Sequence, residues 1–219
     1  MADPYALASL NPRGRGSLAA AAQAVQANVV ALRVAWCKRA GLDPIEHDIK
    51  TPPPGPVREA RELLIDRHVI KDYSLDEVTL RLRQVWGEFS VLCWLFHHED
   101  PQHPPPFCKL PQDQPMRCPS HIHAKLVEVQ AGLWRIVHEQ RARNDKDAKN
   151  DPSFRREHEI ALSRPVRIGG MDVRMCNDED LFCFACEYAG MLAAVRWAID
   201  DRWEWEGPGI MEVTLNDVS

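Results

Sequence analysis

Hydrophobic residues recur three and four positions apart over much of this chain, which is the spacing of one face of an α-helix. The first helix is predicted over 17–40, where Ser17 can cap the start and Gly41 can end it. The second is predicted over 74–98, because Ser74 and Glu77 form a capping box ahead of a long apolar stripe. The pattern therefore predicts a helical core.

Three further helices follow from the same reasoning. A short helix is predicted over 57–70, after the rigid proline-rich spacer at 51–56. Ser120 is a plausible cap for the next helix, whose apolar residues continue to Val137. Its charged continuation at 139–151 predicts a solvated end and a mobile connection. The last long helix is predicted to be capped by Asn177 or Asp178, with an acidic first turn that is favourable against the helix dipole.

A β-hairpin is predicted near residue 170. Gly169 and Gly170 separate two short apolar runs, so a two-residue turn would pair Val166 with Val173 and Arg167 with Asp172. The alternating residues Met211, Val213 and Leu215 predict a third strand. The expected fold is mainly α: a bundle of about five helices with a small C-terminal antiparallel hairpin or three-stranded β-element.

We expect three regions along the chain. Residues 1–16 are predicted to be a flexible leader because they are rich in proline, arginine and glycine. Residues 17–146 form a helical domain that contains a loop rich in proline, histidine and cysteine at 99–119. Residues 147–219 supply the hairpin, the last helix and the terminal strand, packed on the same domain.

Composition narrows the class of protein. The chain has 219 residues, 45% of them hydrophobic, with a net charge of −5 and scattered basic residues, which disfavours nucleic acid as a partner. The sequence shows neither a signal-peptide pattern nor an apolar run long enough to predict a membrane span, so we expect a cytoplasmic protein without a membrane partner. Its seven cysteines, without secretory features, indicate reduced thiols or metal ligands.

The segment from His97 to His123 is the first candidate metal site. It holds five of the nine histidines, two cysteines and seven prolines. Cys118 and His121 have two residues between them at the mouth of a helix, an arrangement that brings a thiolate and an imidazole to one zinc ion. The predicted ligand set is Cys108, Cys118, His121 and His123. The alternative is a loop stiffened by its prolines alone.

A second candidate set consists of Cys176, Cys183 and Cys186. Cys183 and Cys186 are three positions apart on a helix and face the same way, and Cys176 precedes that helix closely. Such thiols can bind zinc or act in redox chemistry. Cys183 and Cys186 also lie in the apolar run from Leu181 to Cys186, where cysteine is often a small buried hydrophobe. Both readings stay open, as does a joint site with the loop histidines.

Enzyme signatures are incomplete. The histidines His98 and His103 bracket a zincin-like stretch, but the spacing is one residue too long and Pro101 would break the required helix. His158 and Glu159 are expected on a solvated helical face.

Trp203 and Trp205, among acidic residues, either cover the hairpin or form an interaction surface.

The leading functional hypothesis is a non-catalytic interaction or assembly protein, adaptor-like, that binds a protein partner or forms a homo-oligomer and is stabilised by a structural zinc. A composition rich in alanine, arginine and proline favours a bacterial or bacteriophage source. One alternative is a metal-dependent enzyme that uses His97, His98 and His103. The other is a zinc-containing regulator associated with nucleic acid.

Overall fold

The structure, a computed structural model, describes residues 11–43, 73–96, 115–145, 147–163, 166–168 and 170–203. This part of the chain forms five α-helices: α1 (Arg15–Arg39), α2 (Leu75–Leu95), α3 (Pro119–Asn144), α4 (Pro152–Ser163) and α5 (Asp178–Ile199). A two-stranded antiparallel sheet, β1 (Arg167–Ile168) and β2 (Met171–Asp172), lies between α4 and α5. The prediction of a mainly helical protein with a small hairpin is confirmed. The predicted helix at 57–70 and the predicted third strand lie outside the described residues.

Helices α2 and α5 form the central pair of the bundle, with α1 packed on α2 and α3 packed on α5. Gly87 of α2 lies against the carbonyl group of Glu187, and Gly190 of α5 lies against the carbonyl group of Gln84. A Cβ atom at either glycine would overlap the backbone of the other helix. The two glycines therefore allow α2 and α5 to approach through their main chains.

The outer helices are fixed to the central pair at their ends. The indole Nε1 of Trp36 donates to Thr79 Oγ1 over 3.1 Å, and the Nε of Arg39 donates to the carbonyl oxygen of Tyr73, so the end of α1 meets the start of α2. On the other side, Gly132 of α3 makes room for the ring of Tyr188 on α5. The core between these helices is aliphatic; its fully buried large side chains include Leu18, Leu92, Leu95, Ile122, Leu126, Leu133, Ile136, Leu181, Leu192 and Ile199.

Most of the predicted helix ends are correct. Ser74 and Glu77 form the capping box, and Asn177 Oδ1 accepts from the Asp180 amide over 2.7 Å. Gly41 ends the first helix with a φ of 71°, a conformation that glycine adopts without strain. Two predicted starts are wrong: α1 begins at Arg15, ahead of Ser17, and Cys118 replaces Ser120 as the cap of α3. Pro119 explains the second, because proline favours the first helical position.

The hairpin has the predicted register, with Arg167 opposite Asp172, and the Val173 amide donates to the Val166 carbonyl over 3.1 Å. Gly170 has a φ of 83°, as such a turn requires. Asp172, which lies opposite Arg167 as predicted, forms its ion pair with Arg174. Arg174 donates to both carboxylate oxygens of Asp172, at 2.9 and 2.6 Å, because it follows Asp172 by only two residues.

The end of the predicted flexible leader is anchored to the fold. Arg13 donates to the carbonyl oxygens of Trp197, Asp201 and Trp203, and its guanidinium lies 4.4 Å from the centre of the Trp197 ring. The carbonyls at the C-terminal end of a helix have no partner within the helix, so the hydrogen bond to Trp197 satisfies one of these groups in α5, while Asp201 and Trp203 lie just beyond its end. Residues 1–10 lie outside the described part of the chain, and the predicted boundary at 146–147 stays a prediction.

Helices α1 and α5 are long and apolar enough to cross a membrane when judged by length and composition alone. Neither helix was predicted from the sequence as a membrane span. About half of each apolar window is buried inside the protein. Core helices of soluble proteins have the same composition, so the test is weak evidence, and the expected cytoplasmic location stays a prediction.

Candidate interaction surface

Three large apolar side chains are exposed on a short stretch that joins the hairpin to α5. Residues 171–182, which we call the corner, contain β2, a 3-10 turn over Val173–Met175 and the first turn of α5. The exposed fractions are 41% for Met171, 76% for Met175 and 45% for Phe182. Exposed methionine and aromatic side chains are typical of surfaces that bind other proteins.

Arg143, near the end of α3, holds the corner in place. Its Nη1 donates to the Cys176 carbonyl oxygen over 2.8 Å and to Asp178 Oδ1 over 3.1 Å. Its Nη2 donates to the Arg174 carbonyl oxygen over 3.0 Å. Buried Val173 and Cys176 anchor the same stretch from below. The apolar side chains are therefore presented on backbone that is already ordered before any partner binds.

The support extends into the protein along α3. Glu139 accepts from Arg143 Nε at 3.1 Å and from Arg135 Nη1 at 2.9 Å, which gives a row of alternating charges one helical turn apart. Arg135 and Glu139 are both buried. The predicted solvated end over 139–151 is only partly correct: Arg141 and Asn144 are exposed, whereas Glu139 is buried and Arg143 supports the corner.

Charged groups border the apolar side chains of the corner. The Arg174 guanidinium beside Asp172 holds the pKa of that carboxyl well below its usual range, so Asp172 stays ionised at any physiological pH. Asp178, Glu179 and Asp180 make the first turn of α5 acidic. An apolar centre with a charged rim is the usual anatomy of a protein-binding surface.

The loop metal set is described only in part. Cys118 caps α3, and His121 and His123 lie in its first turns, while Cys108 lies outside the described residues. His121 follows Cys118 by three residues and is its neighbour on the helix. His123 is two residues further, roughly 200° around the axis from His121, so it faces another direction. The set as a whole stays a prediction, and the helix favours the pair Cys118 and His121 within it.

The Cys118 thiol is exposed and its surroundings favour the thiolate. Its Sγ atom lies 3.0 Å from Ser120 Oγ. Hydrogen bonds from the Ser120 side chain and then from the His121 backbone lower the pKa of Cys118. A thiolate at a helix N-terminus is the form that binds metal or reacts with electrophiles.

The second cysteine set is placed differently. Cys176 is buried, Cys183 and Cys186 are partly buried, and desolvation by burial raises the pKa of all three thiols, that of Cys186 to about 11. Among the described residues, no group of three or more histidine, cysteine, aspartate or glutamate side chains is placed to hold a metal ion. The structure gives no support to metal ligation by this set.

Some of the remaining candidate residues lie inside the described part of the chain and others lie outside it. Trp203 is 41% exposed, and the Arg196 guanidinium lies 5.4 Å from its ring centre. Trp205 and the histidines of the enzyme hypothesis, His97, His98 and His103, lie outside the described part of the chain. The predicted tryptophan surface and the enzyme hypothesis therefore stay predictions.

The residues that build the corner were not predicted from the sequence. Arg143 and Glu139 are four positions apart, which signals an ion pair on a helix, but the partners of Arg143 in the corner are more than thirty residues away in the chain. Met175 and Phe182 carry no periodic signal that separates them from core residues. Whether Met175 and Phe182 are exposed is decided by the packing of the helices, which the local sequence pattern does not encode.

Comparisons of this chain with protein-family models, with curated proteins and with solved structures found no match. The class of protein is therefore defined by its own architecture: a mainly helical bundle with a two-stranded hairpin.

Proposed function

We propose that this chain is a non-catalytic interaction or assembly module whose corner docks onto a protein partner or a second copy of the chain. The observation that carries the proposal is the exposure of Met171, Met175 and Phe182 on backbone fixed by Arg143. Burying such side chains against a partner gains roughly 25 cal/mol for each Å² of apolar surface. The net charge of −5 favours a protein partner over nucleic acid.

Site-specific crosslinking tests this proposal. A photo-reactive amino acid is placed at Met175, and in a matched control at Val127, which is 52% exposed on α3 away from the corner. Illumination in cells is expected to give a discrete protein adduct from position 175 that is absent or much weaker from position 127. An adduct with the mass of a dimer would identify a second copy as the partner. No discrete adduct from 175, or equal yields from the two positions, would contradict the proposal.

We also propose that Cys118 and His121 contribute to a structural zinc site. The support is their neighbouring positions at the start of α3 and the lowered pKa of the thiol, since zinc binds the thiolate. Metal content and chelator-dependent melting of the untagged protein test it. Cys118→Ala is expected to remove the metal, whereas the control His123→Asn is expected to retain it. Metal-free wild-type protein, or unchanged metal content in Cys118→Ala, would refute the site.

A further inference from the structure

Helix α4 is held on the rest of the protein by few side chains. It packs against α3 and against the 3-10 turn at Ala148–Asn150. Phe154 and Ala161 are its buried residues, whereas Ile160 and Leu162 are 46% and 42% exposed. A helix with so small an apolar contact can detach without unfolding the bundle.

His138 of α3 lies at the centre of this contact. Its ring stacks on Trp134 with the centroids 5.0 Å apart, on Phe154 at 4.5 Å and on His158 at 5.4 Å. The expectation that His158 and Glu159 lie on a solvated helical face is correct for Glu159, which is exposed, and wrong for His158, whose ring packs on His138 and is only partly exposed.

The two imidazoles also meet edge to edge. His138 Nε2 lies 3.2 Å from His158 Nδ1, so one nitrogen donates a proton and the other accepts it. A doubly protonated pair has two donors and no acceptor across this contact, and it adds the repulsion of two positive charges. The docked arrangement therefore requires at least one neutral imidazole.

Other charged groups surround the pair from both helices. On α3 these are Arg135, Glu139 and Arg141, the last with its guanidinium 5.1 Å from the centre of the Phe154 ring. On α4 the charged neighbour is Glu157. Desolvation by burial lowers the pKa of His138, with further lowering from His158 and Arg135, and the two glutamates oppose this without reversing it.

We propose that the His138–His158 pair is a pH-dependent latch that docks α4 on α3 at neutral pH and releases it on acidification. The inference is independent of the function of the corner. Release would expose Phe154 and Ala161, the two buried side chains of α4, in addition to Ile160 and Leu162, which are exposed already. The proton that breaks the contact ends on His138, whose affinity for it is higher once α4 has left.

Hydrogen exchange measured by mass spectrometry tests the latch on the full chain. Protection of the 152–163 peptide, corrected for intrinsic exchange, is compared at pH 7.5 and pH 5.5, with the α3 peptide 126–136 as internal reference. Below the pKa of a free histidine, about 6.5, the undocked fraction of α4 is expected to rise by up to about tenfold for each unit by which the pH falls. The α3 reference is expected to stay protected.

Two variants separate the latch from general acid sensitivity. His158→Phe keeps a ring for packing and His158→Gln keeps a hydrogen-bonding group, and both remove the second imidazole. Each is expected to give a smaller pH response in the 152–163 peptide, because the repulsion between two charged imidazoles is gone, while the control Glu159→Gln, at an exposed position on α4 that leaves both imidazoles in place, responds like wild type. Unchanged wild-type protection at pH 5.5, or a full wild-type response in both His158 variants, would overturn the proposal.

Discussion

Gly190 of α5 lies directly against the carbonyl oxygen of Gln84 on α2, and no side chain separates the two helices at this point. Replacing Gly190 with alanine would place a Cβ atom inside the contact distance of that backbone. Because main-chain atoms cannot rotate away, the helices must separate, and we expect a loss of about 3 kcal/mol in the free energy of unfolding. Urea unfolding of Gly190→Ala measures this loss.

The matched control is Gly16→Ala in the first turn of α1, where nothing lies within 4 Å of the position of a new Cβ. Alanine is the better helix former, so this change is expected to be neutral or to stabilise by up to about 1 kcal/mol. Equal stability of the two variants would show that α2 and α5 do not touch as described.

Glu88, on α2 beside the same crossing, is fully buried, and neither of its carboxylate oxygens has a hydrogen-bond partner among the described residues. Desolvation by burial raises the pKa of Glu88 to about 8, which Arg81 offsets only in part. Between pH 4.5 and pH 8 the folded protein therefore binds more protons than the unfolded chain, and stability falls as the pH rises. The loss through this window is on the order of a few kcal/mol.

Glu88→Gln should flatten this pH dependence and make the protein more stable than wild type at pH 9, because the amide stays neutral. Urea unfolding at pH 5, 7 and 9 gives both results. Glu128→Gln, a change at a largely exposed carboxylate on α3, serves as control and should keep the wild-type slope. If Glu88→Gln keeps the wild-type slope of stability against pH, the buried carboxyl of Glu88 is not the cause of that slope.

Arg143 connects α3 to the corner through two carbonyl groups and Asp178. Arg143→Met is expected to cost about 2 kcal/mol, because hydrogen bonds from a charged donor are lost and the carbonyl groups lose their partner. Hydrogen exchange should increase most in 173–182. Arg155→Met, at an exposed position on α4, should change neither quantity by much. Unaltered exchange in 173–182 would mean that Arg143 does not order the corner.

Cys118 should be the most reactive thiol among the described cysteines at neutral pH. Its pKa is lowered by the Ser120 and His121 hydrogen bonds, whereas burial raises the pKa of Cys183 and Cys186. Alkylation with iodoacetamide followed by peptide mass spectrometry measures the rates. Ser120→Ala should slow labelling of Cys118, since it removes the largest cause of the lowered pKa. Faster labelling of Cys186 than of Cys118 would contradict the electrostatics described for both sites.

The parts of the fold that the sequence predicted are those with a buried stripe. Helices α1, α2, α3 and α5 and the hairpin register follow from periodic apolar residues, a capping box and a glycine pair, all of which act locally. Helix α4 was expected only as the helical face that carries His158 and Glu159, without bounds, because only Phe154 and Ala161 on it are buried. Its docking depends on rings of another helix, which no local pattern encodes.

The candidate surface was less accessible to sequence reasoning than the fold. Whether Met175 faces the core or solvent depends on how the corner turns, and that turn is fixed by Arg143 from a distant helix. The buried position of Glu88 is equally invisible, since a glutamate on a capped amphipathic helix is usually solvated. Tertiary packing determines both the exposure of Met175 and the burial of Glu88.

The yield of the crosslinked adduct from position 175 in the presence of Phe182→Glu tests the central claim most directly. If the corner is an interaction surface, a charge at Phe182 disrupts the same contact, and the adduct from position 175 should fall at least several-fold while the fold is retained. The Val127→Glu background should leave the yield unchanged. A yield that is the same with Phe182 and with glutamate at that position would contradict the claim that the corner binds a partner.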